Sequence, residues 1–128
     1  YSYRMIRESG GFTVNIPTVD ILPAVDKCGI ISGKKCDKFD ITGLTAVQGT
    51  KVDAPMIKEC PINLECELKD VIDLGLHHMF IGEVVAKHAL RSCMTNGKVD
   101  ASKIALIGYI HGEYWSLGKR LERSGFSL

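Results

Sequence analysis

A short stretch at residues 32–39, SGKKCDKF, gathers a hydroxyl, a glycine, three lysines and an aromatic ring. That composition suits an anionic or electron-rich ligand, because lysine is a mobile point charge able to approach a phosphate or a ring oxygen. A plainly solvated surface loop is the competing reading, since lysine-rich loops are usually just exposed. His77 opens a candidate strand where its side chain could face a cleft, or it is a surface or satisfied core histidine. Tyr109, Tyr114 and Trp115 offer flat surfaces for a planar ring, or they pack the core. Ser2 stands where a helix begins, as a capping hydroxyl and a reasonable phosphate neighbour.

Other chemistries lack their residues. There is no glycine-rich phosphate loop ending in Gly-Lys-Ser/Thr and no G-x-G-x-x-G fingerprint. Neither H-E-x-x-H nor a G-x-S-x-G nucleophile elbow occurs. The histidines at 77, 78, 88 and 111 lack metal-ligand spacing, and neighbours on a strand point to opposite faces, so no metal site is expected. Five cysteines, at 28, 36, 60, 66 and 93, form an odd set without a C-x-x-C pair. Reduced thiols in a cytoplasmic setting are therefore expected.

The 16 basic and 15 acidic residues give a net charge of +1, and the densest lysine cluster is broken by Cys36 and Asp37. No basic track for a nucleic-acid backbone results. No apolar stretch reaches membrane-spanning length, so no membrane partner is expected. The first residues carry charge without an apolar centre, unlike a secretory signal.

The elements that must position these residues read as one mainly β domain over residues 1–128. A helix at 3–9, capped by Ser2, ends at Gly10-Gly11, and a strand follows at 11–17. Asp20 is placed to cap a helix at 21–32 with Pro23 in its first turn. A loop at 32–43 and a strand at 45–52 come next. In the segment 60–71, Ile62, Leu64, Cys66 and Leu68 alternate with Asn63, Glu65, Glu67 and Lys69, which predicts a half-buried strand with the polar set outward. Residues 74–89 form a long strand interrupted at Gly82. Asn96-Gly97 marks a tight turn, 103–109 another strand, and the segment from Trp115 a short helix or turn. About five strands result, near the lower edge for closing a barrel, so further strands are expected upstream.

In order, YSYRMIRESGGFTVNIPT, AVDKCGIISGKKCDKF, GLTA, APMIKECPINLECEL, LGLHHMFIGEVVAKH and YIHGEYWSLGKRLERSGFSL resemble successive blocks of flavin-reductase-like FMN-binding proteins. The flavoredoxin-like branch is the nearest match, through CG-x-x-SG-x-x-x-DKF, ECP-x-NLEC and FIGEVV. This resemblance implies a Greek-key split β-barrel that forms a homodimer and binds FMN near the subunit interface. It implies an FMN-dependent oxidoreductase, accepting electrons from NAD(P)H or a protein donor such as ferredoxin and passing them to flavin, ferric iron or a redox protein. A non-catalytic FMN-binding or interaction protein is the alternative. Within the family pattern, Lys38 and Phe39 lie in the DKF block beside the flavin, with Ser32 and Gly33 on the same loop, while Ser2 matches a hydroxyl position. Tyr114 is the aromatic expected to help exclude water. His77 matches the histidine of a G-D-H block at the catalytic site, with Leu76 in place of the acidic residue. Lys34 is the loop lysine expected to be merely solvated. The family also implies a preceding set of strands, so these residues are expected to lack their N-terminal strands.

Overall fold

The computed structural model describes residues 1–127. Helix α1 (Ser2–Ser9) ends where Gly10 takes the left-handed conformation, φ 70°, and donates its N–H to Ile6 O at 3.0 Å. That termination matches the Gly-Gly signal. The expected cap does not form. Tyr1 is the N-cap, Ser2 is already inside the helix, and no side chain bonds the first turn.

Strand β1 (Gly11–Ile16) pairs antiparallel with β4 (Ile62–Asp73), which pairs antiparallel with β5 (His78–Ala89). The register runs from Gly11 opposite Glu67 to Ile16 opposite Ile62, and from Ile62 opposite Ala89 to Asp73 opposite His78. Between β1 and the sheet's central strand come a single 3-10 turn at Val19–Ile21, helix α2 (Leu22–Ile30) and helix α3 (Lys38–Thr42). Pro23 sits in the first turn of α2, as expected, but Ile21 rather than Asp20 is the N-cap. The 3-10 turn takes up Asp20, with Ile21 N–H donating to Thr18 O at 3.2 Å.

Helix α3 replaces the second half of the expected loop. Asp37 accepts the Phe39 N–H at 2.8 Å, and Gly43 closes the helix at φ 71°. The expected strand at 45–52 shrinks to β2 (Ala46–Val47), paired with β3 (Met56–Ile57). Residues 48–55 loop away, with the Thr50, Lys51 and Val52 amides engaged elsewhere, as described below.

The alternation in β4 was predicted to turn its polar set outward. Glu67 and Lys69 are exposed as expected, but Asn63 and Glu65 are buried, together with Cys66, while Ile62, Leu64 and Leu68 are only half-buried. A register shift between Glu65 and Cys66 explains how two adjacent residues both reach the interior. The irregularity expected at Gly82 is also present, on the opposite strand, between Leu68 and Asp70. Glycine is required at 82 by a close approach: a Cβ there would lie 2.6 Å from Phe12 Cζ.

Strand β5 starts four residues later than predicted. Leu74 N–H donates to His77 O at 2.9 Å, closing a hairpin turn that holds Gly75, Leu76 and His77. His77 therefore lies in a turn, and the argument that strand pleating separates it from His78 does not apply. β6 (Met94–Thr95) and β7 (Lys98–Val99) flank Asn96 and Gly97, both at positive φ, as the Asn-Gly signal predicts. β8 (Ile107–Ile110) and β9 (Glu113–Ser116) form a further hairpin through His111 and Gly112, φ 50° and 81°. Trp115 thus belongs to a strand opposite Gly108, not to a terminal helix. Here His-Gly occupies the backbone conformations that Asn-Gly usually supplies.

The interior is small: among the described residues, Val52, Met56, Cys60, Pro61, Cys66, Cys93 and Ile104 are its buried apolar side chains. Outside it, β5 leaves Met79 at 47% and Ile81 at 43% exposure, and Leu76 at the hairpin tip at 96%. None of the helices described is long and apolar enough to cross a membrane.

Candidate functional site

A cleft of about 910 Å³ opens between the first turn of α1 and the segment 29–39. Tyr1, Ser2 and Met5 form one wall, and the end of α2, the lysine-rich loop and the start of α3 form the other. Local structure explains the second wall. Ser32 O accepts the Lys35 N–H at 3.0 Å and Ser32 Oγ the Lys34 N–H at 3.3 Å, so the loop turns tightly there. Gly33 passes beneath the Tyr1 ring, and a Cβ on it would sit 2.7 Å from Tyr1 Cε1.

Lys38 is held. Its Nζ donates to the Cys28 carbonyl near the C-terminal end of α2, where the helix dipole favours a cation. Lys27 Nζ reaches the other way, to Ile41 O at 3.1 Å. Two lysine ties thus fasten α2 to α3 and fix the angle at which the loop faces the cleft.

Ser2, Ser32, Gly33, Lys38 and Phe39 all line this one cleft, although they come from two separate stretches of chain. Tyr114 and His77 do not line it. The Tyr114 hydroxyl donates to Asp26 Oδ1 on α2 at 3.1 Å, and its ring lies 5.1 Å from that of Tyr109. Burial, then the bonded Asp26 carboxylate, raises the pKa of that hydroxyl. His77 is exposed in the β4–β5 turn, while the His78 ring lies tilted at 44° against Tyr3 of α1 with ring centroids 4.2 Å apart. Asp37, the one carboxylate among the described lining residues, caps α3 through Oδ1.

The most heavily bonded side chain among the described residues was not foreseen. Glu65 is fully buried and accepts from Thr50 N–H at 3.0 Å, Thr50 Oγ1 at 2.7 Å, Lys51 N–H at 2.7 Å and Val52 N–H at 3.0 Å. His88 Nε2 lies 2.6 Å from Oε1 and must be the donor, because an ionised carboxylate only accepts. Burial alone would raise the carboxyl pKa, but the Thr50, Lys51 and Val52 bonds outweigh it and hold the group far below the usual carboxylate range. With both oxygens committed, Glu65 anchors the loop and has no free lone pair for catalysis. Its position in a polar, alternating register carried no local signal of this role.

The family model of the flavin reductase like domain matches residues 1–114. An uncharacterized protein of Archaeoglobus fulgidus is 41% identical over 85 residues, covering 66% of this chain and 48% of that protein. The structure of flavoredoxin from Desulfovibrio vulgaris superposes with a TM-score of 0.91 at 35% identity, covering 99% of this chain and 69% of that one. Flavoredoxin from Methanosarcina acetivorans gives a TM-score of 0.92 at 30% identity, covering 99% of this chain and 68% of that one. The chain thus spans about half the length of the Archaeoglobus relative. Its fold is the mainly β split barrel with few helices. By the extent of the match and by the order of its elements, the chain belongs to the flavin reductase like domain family.

Proposed function

We propose that the cleft between α1 and residues 29–39 holds FMN, and that the protein is an FMN-dependent oxidoreductase or electron-transfer flavoprotein. The observation that carries this reading is the convergence of Ser2, Ser32, Gly33, Lys38 and Phe39 on one cleft. The donor set fits a flavin: apolar and aromatic side chains from Tyr1, Met5 and Phe39 for a planar ring, with Lys34, Lys35 and Lys38 for negative charge. Bound there, the flavin supplies the site that accepts and releases electrons. The chain's own residues position and shield. Lys38 keeps a cation near the cleft with its ammonium on the Cys28 carbonyl. Phe39, half-buried on the first turn of α3, excludes water.

Asp37 caps α3 through Oδ1, and in this reading the cofactor carries the chemistry while the side chains position and shield it. The donor is NAD(P)H or a protein such as ferredoxin, and the acceptor is flavin, ferric iron or a redox protein. The displacement of His77 from the cleft favours the second reading, a non-catalytic FMN-binding protein. His77, displaced to the hairpin turn, reaches a catalytic role only if another part of the assembly brings it to the ring. We further infer a homodimer and a barrel completed by strands outside these residues, supported by the exposed Met79 and Ile81 on β5 and by the 69% coverage of flavoredoxin. All five cysteines are free thiols, which supports a cytoplasmic setting.

An absorbance spectrum of the purified protein, followed by titration with NADH, NADPH and reduced ferredoxin, is the test. Yellow protein whose bands bleach with one donor supports the oxidoreductase. Yellow protein that no donor bleaches favours the binding protein. Colourless protein that takes up neither FMN nor FAD removes the flavin reading.

A further inference from the structure

Helix α1 stands between the sheet and the cleft. Residues two positions apart on an α-helix point in nearly opposite directions. Accordingly Tyr3 packs on β5, while Tyr1 and Met5 on either side of it in sequence line the cleft. On β5, His78, Phe80 and Gly82 share one face by the two-residue period of a strand. The Tyr3 ring meets the first two of them, with centroids 4.2 Å from His78 and 5.8 Å from Phe80.

The two ends of this helix are held differently. No residue of α1 is buried. Its C-terminal end is tied by backbone, where Leu68 N–H donates to Gly10 O at 2.9 Å. Its first turn is held by side-chain rings, Tyr3 on β5 and Tyr1 over Gly33. The Tyr3 ring is itself oriented, because its hydroxyl accepts from Arg7 Nη1 at 3.0 Å and the guanidinium lies 5.7 Å from the ring centroid. His78 in turn has Asp73, its register partner across the hairpin, 3.7 Å from Nε2, and its side chain is 31% exposed.

We propose that Tyr3 and His78 are a positioning pair for the cleft. Their ring contact sets how far the first turn of α1 stands from the lysine-rich loop, and so how a planar ligand is gripped between Tyr1, Met5 and Phe39. The inference rests on the flavin reading of the cleft and adds what fixes the width of the site. His78 acts through Tyr3 and touches no ligand. Of the two adjacent histidines, the one that acts on the cleft is then His78 and not His77 in the exposed turn.

The test compares His78→Ala, Tyr3→Ala, the flat-ringed His78→Phe, and Glu65→Gln, a destabilising change that leaves α1 and its ring contacts in place. Hydrogen exchange of the flavin-free proteins reads the helix, fluorescence quenching reads FMN affinity, and visible circular dichroism reads the surroundings of the bound ring. Both alanine variants should speed exchange in α1, weaken FMN by about three- to tenfold and change the visible dichroism. His78→Phe should restore all three. Unchanged exchange in α1 of His78→Ala overturns the pair with or without flavin. Faster exchange with FMN affinity and dichroism unaltered, or the same changes in Glu65→Gln, overturns the positioning role while the flavin reading stands. A wild-type protein that binds no flavin overturns that reading itself, and the role given to the pair with it.

Discussion

Lys38 and Lys27 point in opposite directions across the same junction, one to the Cys28 carbonyl and one to the Ile41 carbonyl. Only Lys38 also lines the cleft. Lys38→Ala should weaken FMN or make the bound flavin harder to reduce, by about 1.5–3 kcal/mol for a charge-assisted contact. Lys27→Ala removes the companion tie without touching the cleft, so it should lower stability slightly and leave FMN affinity in place. Parallel FMN titrations and urea melts separate the two, and equal loss of FMN in both variants would reduce Lys38 to a structural tie.

Glu65 belongs to the same scale. Its folded pKa is depressed, so its stabilising effect is present above the unfolded value of about 4.3 and is lost as pH falls toward the lower folded value. Wild-type stability should therefore drop steeply below about pH 4. Glu65→Gln should be less stable at neutral pH and much flatter in that acid range. Glu65→Ala, which leaves the Thr50, Lys51 and Val52 donors and His88 facing an empty space, should cost about 3–5 kcal/mol at neutral pH. Urea midpoints across pH 3–7 read both effects, and identical pH slopes for wild type and Glu65→Gln would contradict the assignment.

Elements were legible where local chemistry settles them. The glycine stop of α1, the Asn96-Gly97 turn and the length of β4 all follow from short-range signals. The misses share a cause, which is tertiary contact overriding pattern. Glu65 of β4 turns inward because a distant loop supplies donors, and β2 stops short because that loop is held by Glu65. The loss of residues 74–77 from β5 follows from a turn that alternation cannot reveal. Likewise, the sequence could name the lysine-rich loop but not that Tyr1 would meet it. Gly82 shows a rule that worked for a reason sequence could not supply, the Phe12 ring filling the space where a Cβ would go. Gly82→Ala should destabilise by about 1–3 kcal/mol through overpacking. Phe12→Leu in the same background should relieve part of that cost, giving a non-additive cycle by chemical denaturation; strict additivity would remove the proposed contact.

At the scale of the whole molecule, apolar side chains on β5 and at its hairpin tip are uncovered while the buried interior stays small. A protein of this composition normally hides such surface in its own core or in an interface. The 128 residues expressed alone are therefore expected to bind FMN more weakly than a longer version carrying additional strands, and to bind a hydrophobic dye such as ANS more strongly. Calorimetric FMN titration of the two lengths checks this, and equal affinity would locate every flavin contact within these residues. The split-barrel architecture was visible through ordered sequence blocks, whereas the open sheet surface became visible only once burial could be measured.

The bonds that converge on Glu65 also have a consequence in time. Residues 50–52 lie outside any strand or helix, and loop amides in such a position ordinarily trade their protons with solvent quickly. Here the amides of Thr50, Lys51 and Val52 all end on one carboxylate, so none is released unless that side chain lets go. They should exchange with deuterium slowly and together, at the pace of the opening of β4 from its neighbours rather than of the surrounding loop. A stretch of irregular backbone thereby acquires the clock of the sheet.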